Sequence, residues 1–154
     1  MMAPTFLKRN EEEALAMATT VIKQSTSETL RYLFRLNAIE GSATKADVIG
    51  YRVGGKTGTA EKVVNGRYAH DQRLASFIGA FPMDDPKYLV MVMLDDPKAI
   101  PGTYGFATAG WNAVPTAASI IERIAPMLGV EPVFTGDDLQ KLAKLEEKEK
   151  KKKD

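Results

Sequence analysis

The ten residues Tyr51–Ala60, which read Y-R-V-G-G-K-T-G-T-A, constrain the fold of this chain more than any other stretch. The first three are β-forming residues and predict a strand. Because side chains alternate across a strand, Lys56 and Gly58 would lie on one face, and Thr57 and Thr59 on the other. Gly58 leaves room for a ligand or another backbone to come close. A cation, hydroxyls and open backbone together suit a strand edge that binds an anionic, peptide-like ligand.

Two motifs overlap in this stretch and predict different chemistry. K-T-G is the third motif of serine β-lactamases and penicillin-binding proteins, after S-x-x-K and S-D-N. Residues Gly50–Thr57 also satisfy the phosphate-loop pattern G-x-x-x-x-G-K-[ST], which needs a strand before the first glycine and a helix opening at Lys-Thr. Here the residues before Gly50 are typical of a loop, and Val63–Gly66 reads as a strand end and turn. We favour K-T-G, with the phosphate loop and a plain Gly/Thr-rich strand as alternatives.

Composition excludes several other classes of site. At 154 residues with 44% hydrophobic content, the chain is one globular domain or part of a larger one. Its net charge of +1 does not indicate nucleic-acid binding. It has no cysteine and a single histidine, His70, so no thiol site, disulfide or paired-histidine metal site is predicted. We expect no cofactor and no metal. The longest apolar run, Leu89–Leu94, is too short to span a bilayer, and no signal segment opens the chain.

The pattern of elements predicts an α+β fold. A short helix is expected over residues 10–18, and Ser25-x-x-Glu28 is a capping box that predicts a helix over Thr26–Glu40. Short connections, including the Asn65-Gly66 turn, predict an antiparallel three-stranded meander flanked by that upstream helix and a C-terminal helix. The expected strands and C-terminal helix are, in order, Tyr51–Val64, Leu74–Phe81, Tyr88–Leu94 and Asn112–Leu128. The apolar side of the last helix is formed by Val114, Ala117, Ile120, Ile121 and Ile124.

The chain divides by composition at residue 135. Residues 1–135 have the mixed composition of a folded domain, whereas residues 136–154 form a charged tail that ends in a lysine run. Leu139, Leu142 and Leu145 recur at helical spacing in this tail. We expect it to be disordered or a frayed helix.

Four separated blocks carry a resemblance to a known family. They read T-S-E-T-L-R-Y-L-F-R-L-N, G-Y-R-V-G-G-K-T-G-T-A-E-K, R-L-A-S-F-I-G-A-F-P and Y-L-V-M-V-M-L-D-D-P. In this order, Ser27–Leu128 resembles the C-terminal part of a class B penicillin-binding protein transpeptidase domain of the cell-division, septal peptidoglycan type. The fold implied is an incomplete serine β-lactamase/penicillin-binding-protein transpeptidase fold, with residues 1–135 as its C-terminal portion.

The resemblance also implies an activity and a role for each K-T-G residue. In the family, a serine attacks the D-Ala–D-Ala bond of a peptidoglycan stem peptide and passes the acyl group to an amine; penicillins acylate the same serine. Lys56 would be catalytic, steadying the substrate carboxylate and the serine–lysine centre, and Thr57, Gly58 and Thr59 would bind substrate. The Thr59 N–H would be an oxyanion-hole donor, typically worth about 2.7–4 kcal/mol of transition-state stabilisation.

The chain departs from the family in two respects that bear on catalysis. Its only S-x-x-K is Ser42-Ala-Thr-Lys45, in a glycine-bounded loop just before the K-T-G strand, and it contains no Ser-x-Asn. We interpret Ser42 and Lys45 as solvated loop residues and expect no nucleophile in this chain, which alone should be inactive. The hypothesis is a transpeptidase-domain fragment that carries the K-T-G strand. The alternatives are a non-catalytic peptidoglycan- or partner-binding module and a P-loop nucleotide hydrolase.

The family also implies partners, a location and an exposed edge. Expected partners are the stem peptide and β-lactams when the domain is complete, the missing N-terminal part of that domain, and divisome proteins, but no nucleic acid. The family location is the periplasmic face of the inner membrane. In the family, the strand equivalent to Tyr88–Leu94 is paired on both sides; here one edge should be free, so we expect self-association, eased by Val92→Lys.

Overall fold

The computed structural model describes residues 1–150, without the side chains of residues 148 and 149. Within that range, the predicted α+β meander with flanking helices is confirmed. The elements are, in chain order, α1 (Glu11–Met17), α2 (Gln24–Glu40), a 3-10 helix (Thr44–Ala46), β1 (Gly54–Val64), β2 (Arg67–Phe81), β3 (Tyr88–Asp95), a second 3-10 helix (Ala109–Trp111), α3 (Ala113–Met127) and α4 (Gly136–Lys150).

The chain forms two compact units, Met1–Leu30 and the residues from Arg31 onwards. In the first, the Asn10 side chain accepts a hydrogen bond from the Glu13 backbone N–H at 2.9 Å, and the Glu13 carboxylate accepts one from the Asn10 N–H at 3.2 Å. This reciprocal pair caps α1, as its sequence of acids favours.

The capping box predicted at Ser25 and Glu28 is wrong. Helix α2 begins at Gln24, so Ser25 lies inside the first turn and cannot be its cap. Glu28 instead accepts a hydrogen bond from the Gln24 side-chain amide at 2.9 Å, one turn away on the same helix face.

Strands β1, β2 and β3 pair in that order, both pairs antiparallel. The turn at Asn65-Gly66 has φ of +52° and +77°, which is the pattern of a tight two-residue hairpin. Strand β2 begins at Arg67, not at the predicted Leu74. The reason is that the tight turn sets the register for the polar residues after it, and these extend the ladder in solvent.

Strand β1 begins at Gly54 rather than at the predicted Tyr51. Arg52 has a φ of +46°, a left-handed conformation that ends any extended run. Its guanidinium donates to the Asp84 carboxylate at 2.9 Å, and its carbonyl accepts from the Met83 N–H at 2.9 Å. These contacts with the β2–β3 turn override the β propensity of the segment.

One face of the sheet carries the core. The cluster of buried residues joins β2 and β3 to α3, and its largest fully buried side chains are Val53, Phe77, Phe81, Val114 and Ile121. The predicted apolar side of α3 is confirmed for Val114, Ala117 and Ile121, whereas Ile120 is 37% exposed. We call this side of the sheet the packed face.

The opposite side of the sheet, the open face, carries apolar side chains that are exposed. They are Ile78 (42% exposed), Leu89 (65%), Met91 (54%) and Met93 (52%). Among the described residues, β3 pairs only with β2, so the free edge predicted for Tyr88–Leu94 is present. Val92, however, is only 7% exposed and belongs to the core. Val92→Lys would therefore damage the packed face, and a lysine that changes only the open face belongs at Met91.

The described part of the charged tail is helical. Thr135 and Asp138 cap α4 reciprocally, with the Thr135 hydroxyl donating to the Asp138 carboxylate at 2.7 Å. Lys141 forms an ion pair with Asp47, and the Val133 N–H donates to the Gly50 carbonyl at 2.8 Å. Residues 151–154 of the predicted lysine run lie outside the described residues. No helix in the described range is long and apolar enough to cross a membrane.

Candidate functional site

A cavity of about 330 Å³ lies beside the K-T-G strand, and we call it the hydroxyl pocket. Five of its lining residues are serine or threonine, and none is acidic. The lining residues are Ser42, Thr44, Lys45, Thr57, Thr59, Thr108, Ala109, Gly110 and Trp111. Three segments therefore build it: the loop and 3-10 helix after α2, the middle of β1, and the loop that enters α3.

Thr57 and Thr59 contribute the strand wall of the pocket, on the face that strand alternation predicts. The Thr57 hydroxyl lies 2.7 Å from the Ser42 hydroxyl. The Thr59 hydroxyl accepts a hydrogen bond from the Ala109 backbone N–H at 3.2 Å. Because that contact uses only a lone pair, the Thr59 hydroxyl proton can still be donated to a ligand.

Lys56 lies on the other face of β1, where it pairs across the ladder with Ile78 of the open face. Its ammonium group donates to the Thr57 backbone carbonyl at 2.8 Å. The structure therefore does not bring Lys56 into the hydroxyl pocket.

Gly58 shares the face of Lys56, as predicted, and pairs with Ser76 on β2. A Cβ at Gly58 would lie 2.7 Å from the Ser76 hydroxyl. The close approach expected at this glycine is thus made by a neighbouring side chain, and a larger residue would push Ser76 aside.

The phosphate-loop alternative is wrong. Lys56 and Thr57 lie within the eleven-residue strand β1, whereas that motif requires a helix to open at the Lys-Thr pair.

The interpretation of Ser42 and Lys45 as solvated residues agrees with the structure, but it missed their position beside the K-T-G strand. Both are exposed, but both line the hydroxyl pocket, and Lys45 lies in the 3-10 helix. The Lys45 ammonium lies 3.3 Å from the centroid of a Trp111 ring, a cation–π contact. Sequence spacing could not indicate the contact between Lys45 and Trp111, because the two residues are far apart in the chain and meet only in the folded structure.

Asn37 is a positioning residue that the sequence reading did not single out. Its side-chain amide donates to the Gly55 carbonyl at 2.8 Å, and its side-chain oxygen accepts from the Ser42 N–H at 3.1 Å. These bonds hold the Ser42 segment against the start of β1. The sequence feature that could have indicated this role is a polar residue in the last turn of α2, just before Gly41.

An aromatic cluster borders the pocket on the side of the α3 entry loop. Trp111 stacks on Phe106 with ring centroids 5.8 Å apart, and Tyr104 meets Trp111 edge-on at the same separation. Asn112 fixes the end of this loop, since its side chain donates to the Ala107 carbonyl at 2.9 Å and caps α3. The loop that carries Trp111 is thus anchored at its helical end.

Charge around the pocket is unbalanced. Within the described residues, Lys45 has no carboxylate partner, and no group of three or more potential metal-ligating side chains occurs. The hydroxyl pocket is therefore suited to an anion, which its lysine and several hydroxyls can bind.

A separate charge pair lies farther along β1, outside the pocket. The Glu61 carboxylate forms a hydrogen bond with the His70 ring nitrogen at 2.8 Å and raises the pKa of that histidine above its ordinary value.

Comparison with known proteins places this geometry in a family. The family model described as "Penicillin binding protein transpeptidase domain" matches residues 1–122. The probable peptidoglycan D,D-transpeptidase FtsI of Caulobacter vibrioides is 44% identical over 120 residues, which cover 72% of this chain and 20% of that protein. Stage V sporulation protein D of Bacillus subtilis is 40% identical over 129 residues, covering 84% of this chain and 19% of the relative. The chain spans about a fifth of the length of these relatives.

Comparison with solved structures indicates the same family. The transpeptidase domain of Burkholderia pseudomallei penicillin-binding protein 3 matches with a TM-score of 0.60 and 34% identity, over 72% of this chain and 32% of that one. Penicillin-binding protein 3 of Mycobacterium tuberculosis, complexed with ampicillin, matches with a TM-score of 0.61 and 25% identity, over 75% and 26% of the two chains. The chain thus belongs to the family of penicillin-binding protein transpeptidase domains.

Proposed function

We propose that this chain supplies the K-T-G wall of a peptidoglycan D,D-transpeptidase active site, and that the nucleophilic serine comes from a segment outside the sequence given. The observation that carries the proposal is the pair of hydroxyls on Thr57 and Thr59, which face the hydroxyl pocket from a strand whose outer edge pairs with no described residue. Such an edge can accept an extended peptide as an added strand.

The chemistry follows from these positions. The hydroxyls of Thr57 and Thr59 bind the terminal carboxylate of a D-Ala–D-Ala stem, while the stem backbone pairs with β1. The serine oxygen attacks the carbonyl carbon of the scissile bond, and the Thr59 N–H donates to the developing oxyanion. The C–N bond then breaks, and the terminal D-alanine leaves with the serine proton. An amine of a second stem attacks the acyl-serine ester, the ester C–O bond breaks, and a proton from the amine returns to the serine oxygen.

Lys56 has a separate role in this proposal. It projects from the open face, away from the carboxylate-binding hydroxyls. An active-site serine–lysine centre that approached the open face would meet the Lys56 ammonium, which would stabilise the negative charge that develops during acylation. The catalytic assignment of Lys56 therefore depends on a second segment that packs on the open face.

The pair Ser42 and Lys45 does not fit a nucleophile and its base. An S-x-x-K nucleophile needs its lysine directed at the serine from one helical turn away. Here the Lys45 ammonium lies over Trp111, and the Ser42 hydroxyl bonds to Thr57. We therefore expect this chain alone to form no penicilloyl ester.

Incubation with a fluorescent penicillin, followed by denaturing electrophoresis, tests that expectation. The wild-type chain and Ser42→Ala should both remain unlabelled. A stoichiometric label on the wild type that disappears in Ser42→Ala would contradict the assignment.

Partners and location are part of the proposal. The proposed ligands are peptidoglycan stem peptides and β-lactams, supported by the ampicillin complex of the M. tuberculosis relative. Divisome proteins and the missing part of the domain are the proposed protein partners, at the periplasmic face of the inner membrane. A second candidate function is a peptidoglycan-binding module without catalysis, favoured by the absence of Ser-x-Asn from the sequence. The two differ in whether a complementing segment restores acylation.

A further inference from the structure

The loop and 3-10 helix before β1 form a pocket wall to which the proposed mechanism gives no role. We propose that Lys45 is the cation of the hydroxyl pocket, supplying the countercharge for a carboxylate bound at Thr57 and Thr59, and that Ser42 turns the Thr57 hydroxyl proton towards that carboxylate. This inference rests on the proposed function and adds two specificity-determining residues to it.

The position of Lys45 supports this role. Its ammonium is held 3.3 Å from the Trp111 ring centroid, and both residues line the same cavity as the two threonine hydroxyls. Trp111 is itself stacked on Phe106, which helps to hold the ring that contacts the ammonium. Because a cation–π contact leaves ammonium protons available, Lys45 can still donate to an anion in the pocket.

The other lysine of the strand cannot serve this purpose from its present position. Lys56 lies on the opposite face of β1, and its ammonium already donates to the Thr57 carbonyl. No acidic residue lines the pocket to neutralise Lys45. The positive charge on the carboxylate side of the strand therefore belongs to Lys45.

The number of hydroxyl protons available at Thr57 and Ser42 gives Ser42 its role. A carboxylate only accepts hydrogen bonds, so Thr57 must donate its single hydroxyl proton to the ligand. The Ser42 hydroxyl, 2.7 Å away, must then donate to Thr57 instead of to the Asn37 side-chain oxygen at 3.3 Å. The backbone N–H of Ser42 still anchors the loop to Asn37 at 3.1 Å, so the hydroxyl can reorient while the loop stays in place.

Titration of the full chain with N-acetyl-D-alanyl-D-alanine, followed through backbone amide resonances, tests the proposal. We expect shifts at Thr57 and Thr59 in the wild type. Lys45→Gln should weaken binding of the free acid about fivefold, the size of a partly exposed charge interaction, and leave the C-terminal amide of the same peptide unchanged. Lys144→Gln, which removes the same charge from exposed helix α4, is the matched control and should bind like the wild type.

Further variants separate charge and proton orientation from structure. Lys45→Arg should retain binding of the acid, Ser42→Ala should weaken it about threefold, as for the loss of a modest hydrogen bond, and Ser42→Thr should restore it. If the wild type shows no shift at Thr57 and Thr59, the proposed function fails and this inference fails with it. If the wild type binds the acid but Lys45→Gln binds it equally well, or loses acid and amide alike, only the role of Lys45 is overturned.

Discussion

The two faces of the sheet have nearly the same sequence character and opposite surroundings. On the packed face, Phe77 is fully buried and Val92 is 7% exposed, beneath α3. On the open face, their neighbours Ile78 and Met91 are 42% and 54% exposed. Strand β3 reads Y-L-V-M-V-M-L-D, so apolar residues point to both sides.

This difference identifies which surface is incomplete. A strand that is apolar on both faces is typical of a sheet buried between two layers, whereas a solvated face alternates with polar residues. Here, within the described residues, only the end of the open face at Gly54 is approached by a second layer, the Phe34 segment of α2, and the apolar side chains of the rest are exposed. Exposed apolar patches of this kind mark a surface that binds another protein segment. In our account, that segment carries the missing nucleophile.

The largest expected contrast is in stability. Phe77→Ala on the packed face should lower the free energy of unfolding by about 3–5 kcal/mol, because it leaves a cavity in the core. Met91→Ala on the open face should change it by less than about 0.5 kcal/mol, since its side chain is already half in water. Chemical denaturation measures both. An equally large loss at Met91 would mean that the open face is covered in solution.

Self-association should respond to the same contrast. Met91→Lys places a charge on the open face beside the free edge of β3, which should reduce association of the chain without loss of fold. Light scattering at rising concentration measures this effect. Val92→Lys is the matched packed-face variant and should unfold the chain by burying a charge. A wild-type chain that stays monomeric throughout would contradict the exposed-edge account.

A smaller effect is expected at Asp138, which stabilises α4. Burial opposes ionisation of Asp138, but the Thr135 backbone N–H and hydroxyl donate to its carboxylate and lower its pKa. The stabilisation is therefore present above the unfolded-state pKa of about 3.9 and is lost as pH falls through the lower folded-state value.

Asp138→Ala should cost about 1 kcal/mol at neutral pH, the usual value of a helix cap, and less in acid. Urea unfolding between neutral and acid pH tests this prediction, with Asp138→Asn as a variant that cannot ionise. A cost that stays constant into acid would rule out a role for the ionised carboxylate.

Local patterns predicted the sheet and one wall of the site. Strand alternation placed Thr57 and Thr59 together, and Asn65-Gly66 predicted the hairpin, because both signals depend only on neighbouring residues. The left-handed Arg52 was not predicted, because its cause is a distant partner, Asp84. The second pocket wall was missed for the same reason, since Lys45 finds Trp111 only after folding.

The central claim is that the K-T-G wall here serves a nucleophile carried by another segment. The most direct test mixes this chain with an upstream transpeptidase segment that contains S-x-x-K and Ser-x-Asn, and then adds a fluorescent penicillin. We expect a label on the upstream segment only when both chains are present. Lys56→Ala should slow labelling at least about 100-fold, as for loss of an electrostatic stabiliser, and Lys144→Gln should not. Equal labelling with and without this chain, or with Lys56→Ala, would contradict the account.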